Sequence, residues 1–341
     1  RRWAACVKKA PLGSCPVRAV LIVNPNATST TAAGRDLLAH ALESRVHLQV
    51  LHTDHRGHAS ELARRAADEG AAVIVVHGGD GTVSEVVNGL LGQPGHPAPG
   101  PLPAIAVVPG GSANVFARTL GISADPVQAT NQVVDLLDAH RRDQRRWRRI
   151  GLGHCGERWF IFNAGMGLDG EVVAAMEAHR NKGKQVTAGR YVTRAVLSFF
   201  RAARHQPTLT VELPGQEPQQ GIHFAFICNS NPWTYANERA IWTNPSTSFE
   251  SGLGVFASKS MNVMANLRLV RQMVGAPRPD RPAASHLLRE DDVAWVRIRA
   301  SAPIATQVDG DFLGFRSELT FTAEPDVLDV VAPAKPADAL S

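Results

Sequence analysis

The sequence offers no apolar run near the roughly 18 residues that a membrane-crossing helix needs, so any membrane contact is expected to be peripheral. Residues 1–17 are basic but lack an apolar h-region, which reads as a tail and not as a signal peptide. Cysteine is scarce. Cys6, Cys15, Cys155 and Cys228 show no CxxC spacing and no accompanying histidine cluster. That sets aside a zinc site or a disulfide framework and points to reduced thiols in a cytoplasmic protein. There is no GxxxxGK[ST], and no GxGxxG in the first strand–helix turn, so P-loop and Rossmann nucleotide sites lose. Internal repeats and long low-complexity segments are missing too. Lysine supplies only six of the 36 basic residues, an arginine bias that reflects genome composition more than function.

What is present is an ordinary globular composition, 44% hydrophobic and 20% charged over 341 residues. A chain of this length divides by default into two domains. The net charge of +5 suits anionic partners: nucleotide phosphates, an acidic membrane surface or nucleic acid. Six arginines crowd residues 141–149 and are the expected contact with an anionic membrane surface; with no aromatic-interleaved RNA motif beside them, nucleic acid is not expected.

The first part alternates strand and helix. Residues 17–23 form an apolar run ending at Asn24-Pro25, and Leu37, Leu38, Ala41 and Leu42 follow at helical spacing. Residues 46–51 read as a second strand, and Leu62, Ala63, Ala66 and Ala67 as a second helical face. Residues 73–76 are a third strand, stopped by Gly78-Gly79-Asp80-Gly81, after which Val83, Val86, Val87, Leu90 and Leu91 share one face. A strand at 105–108, the Pro109-Gly110-Gly111 turn and a helix from Val115 come next. Asp125-Pro126 suits the cap and first turn of another helix through Leu137. Repeated βα units imply a parallel, helix-covered sheet. Beyond residue 149 strands dominate, at 159–162, 208–213, 223–228, 295–298, 306–308 and 319–322, with helical stretches near 171–178, 192–200 and 266–274.

The polar signals fall where this arrangement would place a ligand. Asn24-Pro25-Asn26-Ala27-Thr28 follows the first strand, Thr53 the second, Gly78 to Thr82 the third, and Gly110-Gly111-Ser112 the fourth. Open α/β sheets bind ligands at the carboxyl ends of their strands. Glycines there let backbone N–H groups approach phosphate oxygens, and the hydroxyls of Thr28, Thr82 and Ser112 are further donors. Asp80, between glycines, is a carboxylate suited to magnesium binding or proton handling. A single GG turn is usually only a turn; four such pieces on one sheet edge are a stronger signal.

Six segments, in order, resemble the catalytic family of diacylglycerol kinases, which includes sphingosine and ceramide kinases. Gly78-Gly79-Asp80-Gly81-Thr82 is similar to its GGDGT signature, and residues 24–28 resemble NPxSG. Thr53-Asp54-His55-Arg56-Gly57-His58-Ala59 resembles T-x-x-x-G-H-A, and residues 109–118 resemble PxGTxNDFAR. Asn163-Ala164-Gly165-Met166-Gly167-Leu168-Asp169 resembles N-x-G-x-G-x-D, and Asp309-Gly310-Asp311 the closing DGE. The sequence departs at Val115 and Asp311, where the family has Asp and Glu. It departs again at Phe249-Glu250-Ser251-Gly252-Leu253, where the family has a DDG-L segment that holds a structural magnesium in some members.

The resemblance implies an α/β N-terminal nucleotide-binding domain with a parallel sheet, followed by a β-rich antiparallel C-terminal lipid-binding domain. The expected boundaries are a tail over 1–16, the ATP-binding domain over 17–143 and the lipid domain over 144–324, with a last strand at 325–333 returning to the first domain. ATP and Mg2+ are the implied cofactors. Asn24, Pro25, Asn26, Ala27, Thr28, Thr53, Gly78, Gly79, Asp80, Gly81, Thr82 and Ser112 are the implied ATP contacts. Asp311, Asp80 and Asp309 are the catalytic candidates, with Asp311 accepting the substrate proton, and Asp80 and Glu250 are the metal candidates. An Asp-Gly-Asp bend is expected to aim both of its carboxylates one way. The implied reaction is phosphorylation of a lipid hydroxyl, diacylglycerol foremost, at the inner face of an anionic membrane. Alternatives are other lipid kinases, an NAD kinase-like enzyme and a silent nucleotide- or lipid-binding protein. A homodimer is left open.

Overall fold

A computed structural model describes residues 17–96, 100–143, 147–167, 209–236 and 238–334. Strands β1 (Arg18–Val23), β2 (His47–His52), β3 (Val73–Gly78) and β4 (Ala104–Pro109) form a parallel sheet in the order β4-β3-β1-β2. The residues of β3 and β4, and all but the first of β1, are buried, because helices cover both faces of a parallel sheet. β2 lies at the edge and is half exposed. The connecting helices are α1 (Ala32–Glu43), α2 (His58–Asp68), α3 (Asp80–Leu91), α4 (Val115–Thr119) and α5 (Pro126–Asp143). Leu38 and Leu42 carry the buried face of α1, whereas Leu37, which shares their spacing, is exposed. Asp125 caps α5 by accepting the Gln128 N–H at 2.8 Å, and the helix runs past Leu137 to Asp143.

The second half is antiparallel. It contains β5 (Arg148–Cys155), β6 (Arg158–Phe160), β7 (Asn163–Met166), β8 (Leu209–Glu212), β9 (Gln219–Ile222), β10 (Phe224–Cys228), the small hairpin β11 (Thr234–Ala236) and β12 (Arg239–Ile241), and β13 (Leu253–Ser258). Helix α6 (Val263–Met273) follows, then β14 (Leu287–Val293), β15 (Trp295–Val308) and β16 (Asp311–Val330). The segments 295–298 and 306–308, expected as two strands, are one strand, β15, whose pairing is interrupted between Arg299 and Ile304. The expected strands at 319–322 and 325–333 likewise belong to β16. Proline explains both splits, since Pro303 and Pro325 lack the N–H that a ladder uses. The helical stretches expected at 171–178 and 192–200, the tail 1–16, and Leu168 and Asp169 lie outside the described residues.

β16 joins the two halves. Its first part pairs with β15, its second part pairs antiparallel with β5, and its end pairs parallel with β4 at Val330–Ile105. The Val331 N–H donates to Ile105 O at 2.8 Å. Among the described residues, a continuous hydrogen-bonded path therefore runs from β2 to β14. The antiparallel half is not a separate sheet set beside the first.

Gly89 shows how tightly the first half is packed. A Cβ there would lie 2.4 Å from the Ser60 carbonyl oxygen, because α3 rests directly on the backbone of α2. In an exposed helix Gly→Ala gains about 1 kcal/mol. Here Gly89→Ala is expected to lose about 2 kcal/mol of stability by forcing the helices apart. Urea unfolding measures this, and a raised midpoint would contradict it.

Candidate active site

The register of the parallel sheet sets the ends of its strands side by side. Val23 pairs with His52 and His77, and Gly78 pairs with Pro109. The loops that follow are tied to one another. Asn24 donates its backbone N–H to His77 O at 3.0 Å and its Nδ2 to Thr82 Oγ1 at 3.0 Å, and its Oδ1 accepts the Asn26 N–H at 3.0 Å. The Ser29 N–H donates to Gly110 O at 2.9 Å. Buried His77 places Nδ1 3.1 Å from Val108 O, which fixes the proton on Nδ1 and leaves Nε2 to accept from Thr30 Oγ1 at 3.3 Å. Burial holds its pKa below the ordinary histidine value.

The signature glycines have a packing role that the sequence did not reveal. A Cβ on Gly111 would lie 2.7 Å from Gly79 Cα, and one on Gly110 would lie 3.0 Å from Gly78 Cα. The two glycine pairs pack backbone against backbone, and the Gly110 N–H donates to Gly78 O at 2.9 Å. Gly81 is different: it is exposed, and nothing lies within 4 Å of where its Cβ would stand. Pro25, Asn26, Thr28 and Ser112 are exposed on the same rim, Ala27 is half-buried, and Thr53 and Thr82 are buried. α3 begins at Asp80 with Gly79 as a cap that offers no side chain to its N–H groups.

Asp80 reaches across to the neighbouring loop. Its Oδ2 accepts the Val115 N–H and its Oδ1 the Phe116 N–H, each at 3.0 Å, so the carboxylate caps α4. Burial pushes its pKa above the ordinary carboxylate value, against the pull of those N–H groups. Asn114, at φ 49°, clamps the intervening turn: Oδ1 accepts the Gly111 N–H at 2.9 Å and Nδ2 donates to Gly111 O at 2.8 Å. Val115 buries its side chain in the core and contributes its main chain here.

The Asp309-Gly310-Asp311 turn meets this edge from the other half of the molecule, and its two carboxylates part company. Asp309 is buried. Its Oδ2 accepts the Ser84 hydroxyl from α3 at 2.9 Å, across 225 sequence positions. Its oxygens also accept the Ile161 N–H at 2.9 Å and the Phe162 N–H at 3.1 Å. Asp311 is partly exposed, with Arg158 Nη2 2.5 Å from Oδ2 and Arg56 Nη2 3.1 Å from Oδ1. The expectation that the bend aims both acids one way is therefore corrected. Asp309, at φ 50°, and Gly310, at φ 78°, turn the chain so that one acid enters the core and the other faces the loop after β2.

Sequence reasoning gave no role to Ser84, Arg56, Arg158 or Asn88. Asn88 docks α3 onto β6 by accepting the Trp159 N–H at 3.0 Å and donating to Trp159 O at 3.1 Å. Arg56 lies inside the recognised T-x-x-x-G-H-A stretch, the one signal that marked its neighbourhood. Glu250 is held by Arg148. Its Oε1 accepts from Arg148 Nε at 2.9 Å and Nη2 at 2.7 Å, so a guanidinium of the chain already faces one oxygen of this metal candidate. Asp80, which among the described residues no cation of the chain is shown to pair, is the other metal candidate, and its oxygens are engaged by backbone N–H groups including those of Val115 and Phe116.

Comparison with known proteins agrees with the motifs. Residues 18–141 match the diacylglycerol kinase catalytic domain. The chain is 30% identical over 173 residues to the "Probable lipid kinase YegS-like" of Chromohalobacter salexigens, covering 51% of this chain and 50% of that protein. It is 31% identical over 109 residues to the "Diacylglycerol kinase" of Staphylococcus haemolyticus, covering 32% and 28%. The matches thus span half or less of these relatives' length. Among solved structures, a diacylglycerol kinase from Bacillus anthracis superposes with a TM-score of 0.67 at 18% identity, over 95% of this chain and 99% of that one. That likeness shows the fold.

Burial pushes the Asp309 carboxyl up to about 6, against the hydrogen bonds it accepts. A raised carboxyl favours the folded state fully below its unfolded value of ~4, and that contribution is lost as pH rises through about 6. The stability of the wild type relative to Asp309→Asn should therefore fall by about 2 kcal/mol between about pH 4.5 and about pH 7.5. Urea unfolding of both proteins at the two pH values measures this, and a pH-independent difference would refute it.

Proposed function

We propose that this protein is an ATP-dependent lipid kinase that phosphorylates a lipid hydroxyl, with diacylglycerol, converted to phosphatidic acid, as the favoured substrate. One observation carries the reading. The Asp309-Gly310-Asp311 turn is bonded through Ser84 to the helix that starts at Asp80, and through Arg56 to the loop after β2. A carboxylate from the β-rich half thus stands beside the strand ends that the phosphate-binding motifs occupy. The match of residues 18–141 to the kinase catalytic domain supports the same reading.

The phosphates of ATP are assigned to the start of α3, where the first N–H groups have no side-chain cap and Gly81 leaves open space. The exposed Thr28 and Ser112 flank that place, and Asn24 and Thr53 hold their loops in register. Magnesium, when bound, supplies positive charge to the phosphoryl oxygens, and Asp80 is the residue that would hold it or its waters. Asp311 accepts the proton of the lipid hydroxyl as the new O–P bond forms, and the bond between the γ-phosphorus and the bridging oxygen breaks to release ADP. Arg56 and Arg158 hold Asp311 in place and add positive charge where the phosphoryl group passes. Such catalysis rests on positioning and electrostatics. The lipid is drawn from the cytoplasmic face of a membrane; no helix among the described residues is long and apolar enough to cross one.

The test is a kinase assay on diacylglycerol, monoacylglycerol, sphingosine and ceramide in parallel. Asp311→Ala should lower kcat by ~10²-fold or more with the KM for ATP little changed, and Asp311→Glu should retain substantial activity. Normal turnover by Asp311→Ala would remove it as the base. Asp80→Asn loses both the charge and one of the two oxygens that accept the N–H groups of α4. It should abolish transfer while costing only about 1 kcal/mol of stability. A folded, fully active Asp80→Asn protein would overturn that role.

A further inference from the structure

Helix α6 is apolar on two sides. Its inner face is seated on the sheet: Leu269 and Met273 are buried against Phe224, Phe226 and Phe256 of β10 and β13. The seat is fixed at both ends. Asn262 caps the helix by accepting the Ala265 N–H at 3.0 Å, and the Trp242 N–H donates to Met273 O at 2.8 Å. Water should then meet a polar outer face. It meets Met264, Leu267, Val270 and the capping Val274, which are 62%, 52%, 49% and 37% exposed. At ~100° per residue these four fall within an arc of about 120° opposite the buried side. Half of the eight exposed large hydrophobic residues among those described lie on this one helix.

The segment that carries the stripe is basic. Residues 259–289 hold six Lys or Arg and a single acid, Asp280, ahead of the acidic run Glu290-Asp291-Asp292. Arg271 is exposed within the arc and Arg268 beside it, and among the described residues no ion pair engages them or Arg278. Of the arginine-rich segment 141–149, expected from sequence as the membrane contact, Arg145 and Arg146 lie outside the described residues. Arg141 pairs with Asp138, Arg148 with Glu250 and Arg149 with Asp329. For these three arginines an acid of the chain already stands where an anionic surface would.

We propose that the outer face of α6 is the surface that docks on anionic membranes, with Met264, Leu267, Val270 and Val274 entering the headgroup boundary and Arg268 and Arg271 meeting lipid phosphates. A seated helix with an apolar stripe and uncompensated cations has the character of an interfacial helix. The proposal rests on the lipid-kinase reading for its purpose, and the binding is measured without catalysis.

The experiment is sedimentation of the full chain with vesicles of phosphatidylcholine alone or mixed with phosphatidylglycerol, at low and high salt. The wild type should sediment with the anionic vesicles and be released by salt. Met264→Ser with Leu267→Ser, or Arg268→Glu with Arg271→Glu, should lower partitioning about tenfold, whereas Arg141→Glu with Arg149→Glu should leave it unchanged. Circular dichroism and turnover of a water-soluble short-chain diacylglycerol should be unaltered in the α6 variants. Wild-type binding that the α6 variants retain, no binding to anionic vesicles, or a dimer that Met264→Ser with Leu267→Ser merely dissociates would each overturn the proposal. Docking through α6 by a protein that phosphorylates no lipid would leave this surface standing and sink the kinase reading.

Discussion

Asp309 is a carboxylate kept from water by donors belonging to two distant parts of the chain: the Ser84 hydroxyl of α3 and the main-chain N–H groups of Ile161 and Phe162. A buried carboxylate is costly unless its oxygens are satisfied. These donors satisfy it only when α3, the 161–163 turn and the end of β15 occupy one relative position. The Asp309 backbone N–H, donating to Asn163 O at 2.8 Å, adds to the same constraint. Asp311, two residues on, inherits its placement from this anchor. The acid that faces the loop after β2 is thus located by an acid that does not.

A second constraint acts within the parallel half. Gly78 and Gly79 face Gly110 and Gly111 with no room for side chains between them, and Asp80 and Asn114 close the contact from either end. The GGDGT-like and PGGSAN segments are therefore one object in space. Steric closeness and exposed N–H groups are separate demands, and different glycines meet them: Gly111 meets the first and Gly81 the second.

The parallel half was largely legible because strands buried on both faces leave unbroken apolar runs, as in residues 73–76 and 105–108, and because turns there carry glycine. The antiparallel half was less so. β14 reads LLREDDV and lies at the end of the sheet, where charge is tolerated, so it gave no apolar signal. β5 interleaves glycines with its apolar residues behind an arginine run. Pro303 and Pro325 divided β15 and β16 into fragments that pairing reunites. At the site, the motifs located the loops but not their contacts. Asp309 and Asp311 are chemically identical letters; their environments are set by Ser84, Arg56 and Arg158, which no local spacing connects to them.

β16 passes through both halves without a break in the chain, bonded to β15 at one end and to β4 at the other. Its ladder with β5 is irregular between Glu324 and Leu328, where Pro325 and Asp326, at φ 54°, interrupt it. Two bodies joined by a loose tether can swing on it; two bodies sharing a strand cannot. Relative motion here has to be taken up as torsion of that strand, most readily at the bulge, and it is resisted by the main-chain hydrogen bonds on either side. The two halves are thus joined as a leaf spring joins its ends, and their relative placement follows the twist of the strand they share.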